Sequence, residues 1–190
     1  MSPVTPKFKS FDASILYFNG MYKLPVAAYP SIKAEVAWQN NKFVLEDPSA
    51  KGAVIKRIKD FFGTILQNEL NEHKDILDNL SDPAQEHGAG YNTEIDFLVD
   101  LADILGDIQV YCASEMARFG IPNKEVLDII MDSNFSKLDE KGNPIYDESG
   151  KVCKGPYYWK PEPKIRELLV SMLPKKEQAL YVAGDDLGLD

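Results

Sequence analysis

Two cysteines and two histidines in 190 residues leave this sequence almost without soft or nitrogen ligands for a metal. Cys112 and Cys153 lie far apart and show neither C-x-x-C nor histidine-paired spacing. A zinc ribbon, a dithiol redox centre and a disulfide framework are therefore excluded. Cys112 reads as a core thiol and Cys153 as a free one. His73 and His87 do not fall three residues after a matching glutamate, as the paired E-x-x-H of a di-iron bundle requires. No apolar run approaches the roughly 20 residues of a membrane span, and the start Met1-Ser2-Pro3 opens no hydrophobic signal region. The expected location is the cytoplasm. Positive charge is short as well: 21 Lys and Arg stand against 30 Asp and Glu, a net charge of −9. Nucleic acid and anionic membranes would be repelled, so neither is an expected partner.

What is present suits one compact domain over 1–190. Hydrophobic residues make up 44% of the chain, enough for a real core. Residues 173–190 read as an acidic tail of uncertain order. The periodicity predicts an all-α fold, an antiparallel bundle of about five helices with a small β-hairpin near the C-terminal end. Ser10 to Tyr22 reads as a helix with Phe11, Ile15, Phe18 and Tyr22 on one face. Lys23 to Asp47 is irregular, and Trp38, Phe43, Val44 and Leu45 suit either a hairpin or a further helix. A long helix is expected over Gly52–Leu80, closing at Ser81-Asp82-Pro83, and the loop that follows holds Gly88. A second is expected over Thr93–Phe119, stopping at Gly120, then a shorter one from Pro122-Asn123 to about Asn134. Pro144–Tyr146 and Lys151–Cys153 flank the turn Asp147-Glu148-Ser149-Gly150 as a hairpin. A last helix is expected over Lys164–Leu173. No internal repeat is visible.

The informative departure is a set of acids among apolar residues. At 100° per residue, Asp100, Asp103 and Asp107 lie within roughly 60° of one another. Phe97, Leu101, Ile104, Leu105, Ile108 and Cys112 flank them on one side, and Val99, Ala102, Gly106 and Val110 on the other. The expectation is a helix buried nearly all round, with one acidic seam turned into the assembly. The preceding helix repeats the pattern: Ile55, Ile58, Phe62, Ile65 and Ile76 form a stripe whose missing steps are Glu69 and Glu72. Two such helices packed antiparallel would bring Glu69, Glu72, Asp100 and Asp103 around one point. Hard oxygen ligands of this kind suit Mg²⁺ or Mn²⁺. The plainer alternative pairs Glu69 and Glu72 with Lys56, Arg57 or Lys59, and leaves Asp96 and Asp100 as surface acids favoured by a helix start.

Glu69-x-x-Glu72, then Asp100-Leu-Ala-Asp103, then Ser133-Asn134-Phe135-Ser136-Lys137-Leu138 together resemble the all-α nucleoside triphosphate pyrophosphohydrolases, the superfamily of MazG and phosphoribosyl-ATP pyrophosphohydrolase. Gly150 to Gly155, Tyr157-Tyr158-Trp159-Lys160-Pro161 and Asn19-Gly20-Met21-Tyr22-Lys23-Leu24-Pro25 are similar to the phosphoribosyl-ATP pyrophosphohydrolase-like branch. The likeness covers most of Phe11–Leu169. It departs in two places. Asn68 stands where many members carry a further Glu, and Asp100 replaces the first Glu of E-x-x-D, which draws a metal toward its helix or passes a ligand role to Asp107.

The resemblance implies hydrolysis of a nucleotide between its α and β phosphates, giving a monophosphate and pyrophosphate. Magnesium, or manganese, is the implied cofactor. Glu69, Glu72, Asp100, Asp103 and Asp107 are the candidate metal ligands, and Glu69 or Glu72 is also the candidate base. Asn134 and Lys137 are candidates for phosphate or sugar oxygens, with Lys151 and Lys154 behind them. Tyr91, Tyr111, Tyr157 and Trp159 are candidates to stack on a base, though aromatics more often fill cores. Surplus apolar surface and the same resemblance imply helices shared across a homodimer or a dimer of dimers. The rival reading is a non-catalytic helical interaction module that keeps the same scaffold.

Overall fold

A computed structural model describes residues 7–31, 48–81 and 90–182. The segment holding Trp38, Phe43, Val44 and Leu45 lies outside the described residues, as do Gly88, His87 and the last eight positions of the acidic tail. The described secondary structure is helical apart from one isolated bridge. The helices are α1 Phe11–Met21, α2 Pro48–Asp60, α3 Leu66–Asn71, α4 His73–Ser81, α5 Glu94–Arg118, α6 Asn123–Phe135, α7 Pro161–Ser171 and α8 Lys175–Val182, with a π-helical turn over Phe61–Ile65. Part of the stretch read as an acidic tail is therefore the helix α8. The chain falls into two compact units.

The first unit holds α1 to α5. Ser10 caps α1, its Oγ accepting from the Ala13 N–H at 3.2 Å. Thr93 and Asp96 form a reciprocal box at the start of α5: the Thr93 N–H donates to Asp96 Oδ2 at 2.9 Å and the Asp96 N–H to Thr93 Oγ1 at 3.2 Å. Both helices thus begin where a short polar side chain takes up an orphan N–H. α1, α3 and α4 all pack against α5. Among the described residues of this unit, Ile15, Phe61, Ile76, Ile104 and Ala113 are the buried apolar ones. Asn19, fully buried, pins α1 to α5, donating to the Ser114 carbonyl at 3.2 Å and accepting from Ser114 Oγ at 2.7 Å.

The helix expected over Gly52–Leu80 is broken twice. At Phe61–Ile65 the backbone widens to a π turn, where the Leu66 N–H reaches the Phe61 carbonyl. At Glu72 the ladder tightens, the Glu72 N–H bonding Glu69 O at 3.1 Å and the Asp75 N–H bonding Glu72 O at 3.0 Å. The expected inward stripe is consequently half wrong. Ile55, Ile58 and Phe62 are 44%, 40% and 58% exposed, while their neighbour Phe61 is 3% exposed. One extra residue in the ladder turns the face by about 100°, so a count at constant pitch misassigns everything before it.

The second unit holds α6, α7 and α8 with residues 27–31. Gly120 has φ +65° and touches the Tyr29 carbonyl so closely that a Cβ would stand 2.2 Å from that oxygen. Only glycine fits there. The hairpin predicted over Pro144–Cys153 is a single antiparallel bridge, Tyr146 to Val152, closed by the Asp147 N–H on Lys151 O at 2.9 Å. The sequence reading passes over a short repeat here. Asp139-Glu140-Lys141-Gly142-Asn143 and Asp147-Glu148-Ser149-Gly150-Lys151 fold alike, each aspartate carboxylate accepting from the N–H groups two and four residues on, and each glycine at φ near +80°. Backbone donors such as Asn143 N–H hold the Asp139 carboxyl below its ordinary value, and Ser149 chiefly does the same for Asp147.

Candidate functional site

The acids of the two E-x-x-E and D-x-x-D segments meet in the first unit. Contacts between α5 and the preceding helices descend along one as they ascend along the other. Arg57 pairs with Glu115, Glu69 with Tyr111, Glu72 faces Asp107 and Asp103, and Asn79 bonds Tyr91, which bonds Asp100. That order is the antiparallel register the sequence predicts. Its centre, however, lies one turn further along α5. The charges acting on Glu72 are those of Glu69, Asp107, Asp103 and Asp75. Asp100 is turned to Tyr91, whose hydroxyl donates to Asp100 Oδ2 at 2.9 Å.

These charges have one sign, and they act on the groups among them. Glu69 pushes the Glu72 carboxyl above its ordinary value, with partial desolvation, Asp107, Asp103 and Asp75 adding in the same direction. The Tyr111 phenol is raised by desolvation first, then by the charge of Glu69, to which it hydrogen-bonds, and by Asp107 and Glu72. Tyr91 is raised by desolvation and by its bond to Asp100, against an opposing bond from Asn79. Among the described residues no Lys or Arg forms a salt bridge with Glu69, Glu72, Asp103 or Asp107. The alternative of ordinary ion pairs fails for two of its three cations. Lys56 pairs with Asp60, and Arg57 pairs with Glu115.

Burial departs from expectation. Asp100, Asp103, Asp107 and Glu72 are exposed and Glu69 is half-buried. Within one chain α5 is far from buried all round, since Ile95, Leu98, Val99 and Leu105 are also exposed. The donor set is hard oxygen throughout and its field is uniformly negative, which fits a divalent cation of the Mg²⁺ type. The carboxylates converge without closing. Among the described residues no group of three or more His, Cys, Asp or Glu side chains is drawn tightly enough to hold a metal ion.

Three partners of the site escape the sequence reading. Asp75 continues the spacing Glu69-x-x-Glu72-x-x-Asp75, a signal present in the chain. Tyr111 and Tyr91, read as stacking candidates or core, instead hold carboxylates. His73 turns its Nδ1 to the Leu70 carbonyl.

The remaining candidates lie in the second unit. Lys137 Nζ donates to Asn134 Oδ1 at 2.8 Å, one turn apart as the spacing predicts. Lys154 lies over the Tyr158 ring at 4.6 Å, and Lys164 over Trp159 at 3.8 Å. Lys151 is exposed on the Asp147 turn. Gly155 presses on the Lys137–Leu138 backbone, where a Cβ would stand 2.1 Å from Leu138 O. Ser133 Oγ donates to Trp159 O at 2.9 Å, and the Trp159 N–H to Ser136 Oγ at 3.2 Å. The Ser-Asn-x-Ser-Lys segment and the aromatic run are thereby tied into one local structure. Cys112 and Cys153 are both free thiols and half-buried; desolvation raises the Cys112 thiol.

No protein-family model matches the chain, and no curated protein matches it. Among solved structures it is similar to a "putative NTP pyrophosphohydrolase" from Exiguobacterium sp. 255-15, at 20% identity over 86% of this chain and 96% of that one, with a TM-score of 0.42. No described helix is long and apolar enough to cross a membrane.

Proposed function

We propose that this protein is a Mg²⁺-dependent nucleotide pyrophosphohydrolase of the all-α superfamily, cleaving a nucleoside triphosphate or related nucleotide between the α and β phosphates to a monophosphate and pyrophosphate. The observation that carries the reading is a face of like-charged carboxylates from the antiparallel segments around Glu69–Glu72 and Asp103–Asp107, whose charges push the Glu72 carboxyl above its ordinary value, without a basic partner among the described residues. Such a face lowers its energy by taking a cation from solution.

Glu69, Glu72, Asp103 and Asp107 are the residues that would hold Mg²⁺ or Mn²⁺, with Asp100 behind them on Tyr91. When bound, the ion would screen the triphosphate and acidify the attacking water. The chain's own residues divide the remaining work. Tyr111 stands beside Glu69, whose charge acts on its hydroxyl. Glu69 or Glu72 is the base that would accept the water's proton. Lys137 and Asn134 offer a cation and an amide to phosphate or sugar oxygens, and Lys151 and Lys154 add positive charge. The exposed residues Ile95, Leu98, Val99 and Leu105 of α5 support a homodimer or a dimer of dimers.

The experiment is a panel of NTPs and dNTPs with Mg²⁺, scored for pyrophosphate against orthophosphate. Pyrophosphate from at least one member, abolished by chelator, is expected. Orthophosphate as the sole product, or no hydrolysis across the panel, favours the non-catalytic interaction module instead.

A further inference from the structure

The stretch before the acids has two faces that compete for the interior. One carries Ile55, Ile58 and Phe62, which the structure leaves exposed. The other carries Arg57 and Phe61, four residues apart, with the guanidinium 5.7 Å from the ring centre. The second face wins. Arg57 Nε donates to Glu115 Oε1 at 3.0 Å and its Nη2 also reaches Oε2, while Arg118 Nε stands 3.3 Å from Oε2. Glu115 and Arg118 are buried. A buried ion triad has one good geometry and is intolerant of slippage, which makes it a register device rather than a source of net stability.

In an unbroken α-helix Arg57 and the acids would not share a face. Glu69 lies twelve residues on, about 120° away, and Glu72 fifteen residues on, about 60° away. The π turn at Phe61–Ile65 takes up one residue more than an α turn. The effective step to Glu69 becomes eleven, about +20° from Arg57, and the tightened turn from Glu69 to Glu72 keeps Glu72 close to that same direction.

We propose that Arg57 and Glu115 are positioning residues for the acid site: their buried ion pair, relayed through the π turn, sets the rotation at which Glu69 and Glu72 meet Asp103 and Asp107. The inference rests on the reading of the acid face as a divalent-cation site. Arg57 and Glu115 touch neither the acids nor a substrate. They act by choosing which side of the preceding helix is inward. Without them Ile55, Ile58 and Phe62 would draw that helix round to bury the apolar face.

The test is Mn²⁺ binding to the full chain followed by electron paramagnetic resonance, with far-UV circular dichroism to check the fold. Arg57→Met is expected to keep its helix content and to lose about ten- to a hundredfold in Mn²⁺ affinity, the cost typical of an outer-shell support, and Arg57→Lys to recover part of it. Deleting Gly63 removes the extra residue and turns the π turn into a plain α turn, so both faces stay aligned and affinity is expected to be kept. Deleting Gly63 and Thr64 together rotates the acids by about 100° from Arg57, and affinity is expected to fall. Arg57→Met binding as tightly as wild type overturns the inference. So does loss of binding on deleting Gly63 alone with helix content intact, and this comparison decides the matter if Arg57→Met does not fold. A wild-type chain that binds no Mn²⁺ overturns the metal-site reading and this inference together, whereas a binding wild type with unaffected variants overturns this inference alone.

Discussion

Glu115 and Asp107 stand about two turns apart on one helix, in opposite electrostatic company. Glu115 is buried between Arg57 and Arg118 and its charge is answered by the protein. Asp107 faces Glu72, which Glu69, Asp103 and Asp75 also press upon, and no described basic side chain answers them. A carboxylate that serves the fold comes with its counter-charge encoded. On the proposed reading, one that serves a ligand waits for a counter-charge from outside, and the fold bears the repulsion meanwhile. The plain sequence pattern does not separate the two kinds, since both are acids on the same helix.

The largest effect is expected where the unanswered acids are neutralised. Glu72→Gln and Asp103→Asn should lower pyrophosphate release by more than the about hundredfold of an outer-shell change, with the fold retained, as steady-state assays and circular dichroism will show. Neutralising the answered acid should do the reverse. Glu115→Gln removes the buried charge that Arg57 and Arg118 both answer and is expected to cost about 3–5 kcal/mol of stability, read from chemical denaturation. Adding Mg²⁺ should stabilise wild type by about 2.7 kcal/mol at a hundredfold excess over the dissociation constant. Identical melts in Mg²⁺ and chelator would mean the two kinds of acid do not differ.

A smaller effect is expected from pH. The folded Glu72 carboxyl lies above its ordinary value, chiefly because of Glu69. Its contribution to the metal-free protein is therefore fully present below the ordinary glutamate range and is lost as pH rises through the raised value. The melting temperature should fall across that window, and Glu72→Gln should flatten the slope. The smallest effect is at Asp96, which serves as a cap at the helix start. Asp96→Asn keeps an oxygen for the Thr93 N–H and should leave activity unchanged.

Much of this was legible in the chain. Ser10, the Thr93/Asp96 pair and Pro122 mark helix ends through groups within a few residues of one another, and local chemistry decides them. The spacing puts Glu69 with Glu72, and Asp100 with Asp103, on single faces, and it brings the two pairs together only once the helices are taken as antiparallel. The π turn was not legible, because nothing in Phe61-Phe62-Gly63-Thr64-Ile65 departs from an α pattern until Arg57 is known to face inward. That fact depends on Glu115, 58 residues away. The shift of the centre from Asp100 toward Asp107 hangs on the tyrosine that takes Asp100, a tertiary contact that periodicity does not contain. The exposure of the seam follows from the same limit: apolar neighbours were read as a sign of burial, and within one chain Leu98, Val99 and Leu105 face outward.

The central claim, that the unanswered carboxylates form a cation site, is tested most directly by calorimetric titration of Mg²⁺ into the wild-type chain and into Glu72→Gln at neutral pH. A saturable isotherm for wild type that weakens by more than about a hundredfold in the variant is the predicted result. Superimposable isotherms, or no binding to either, would contradict it.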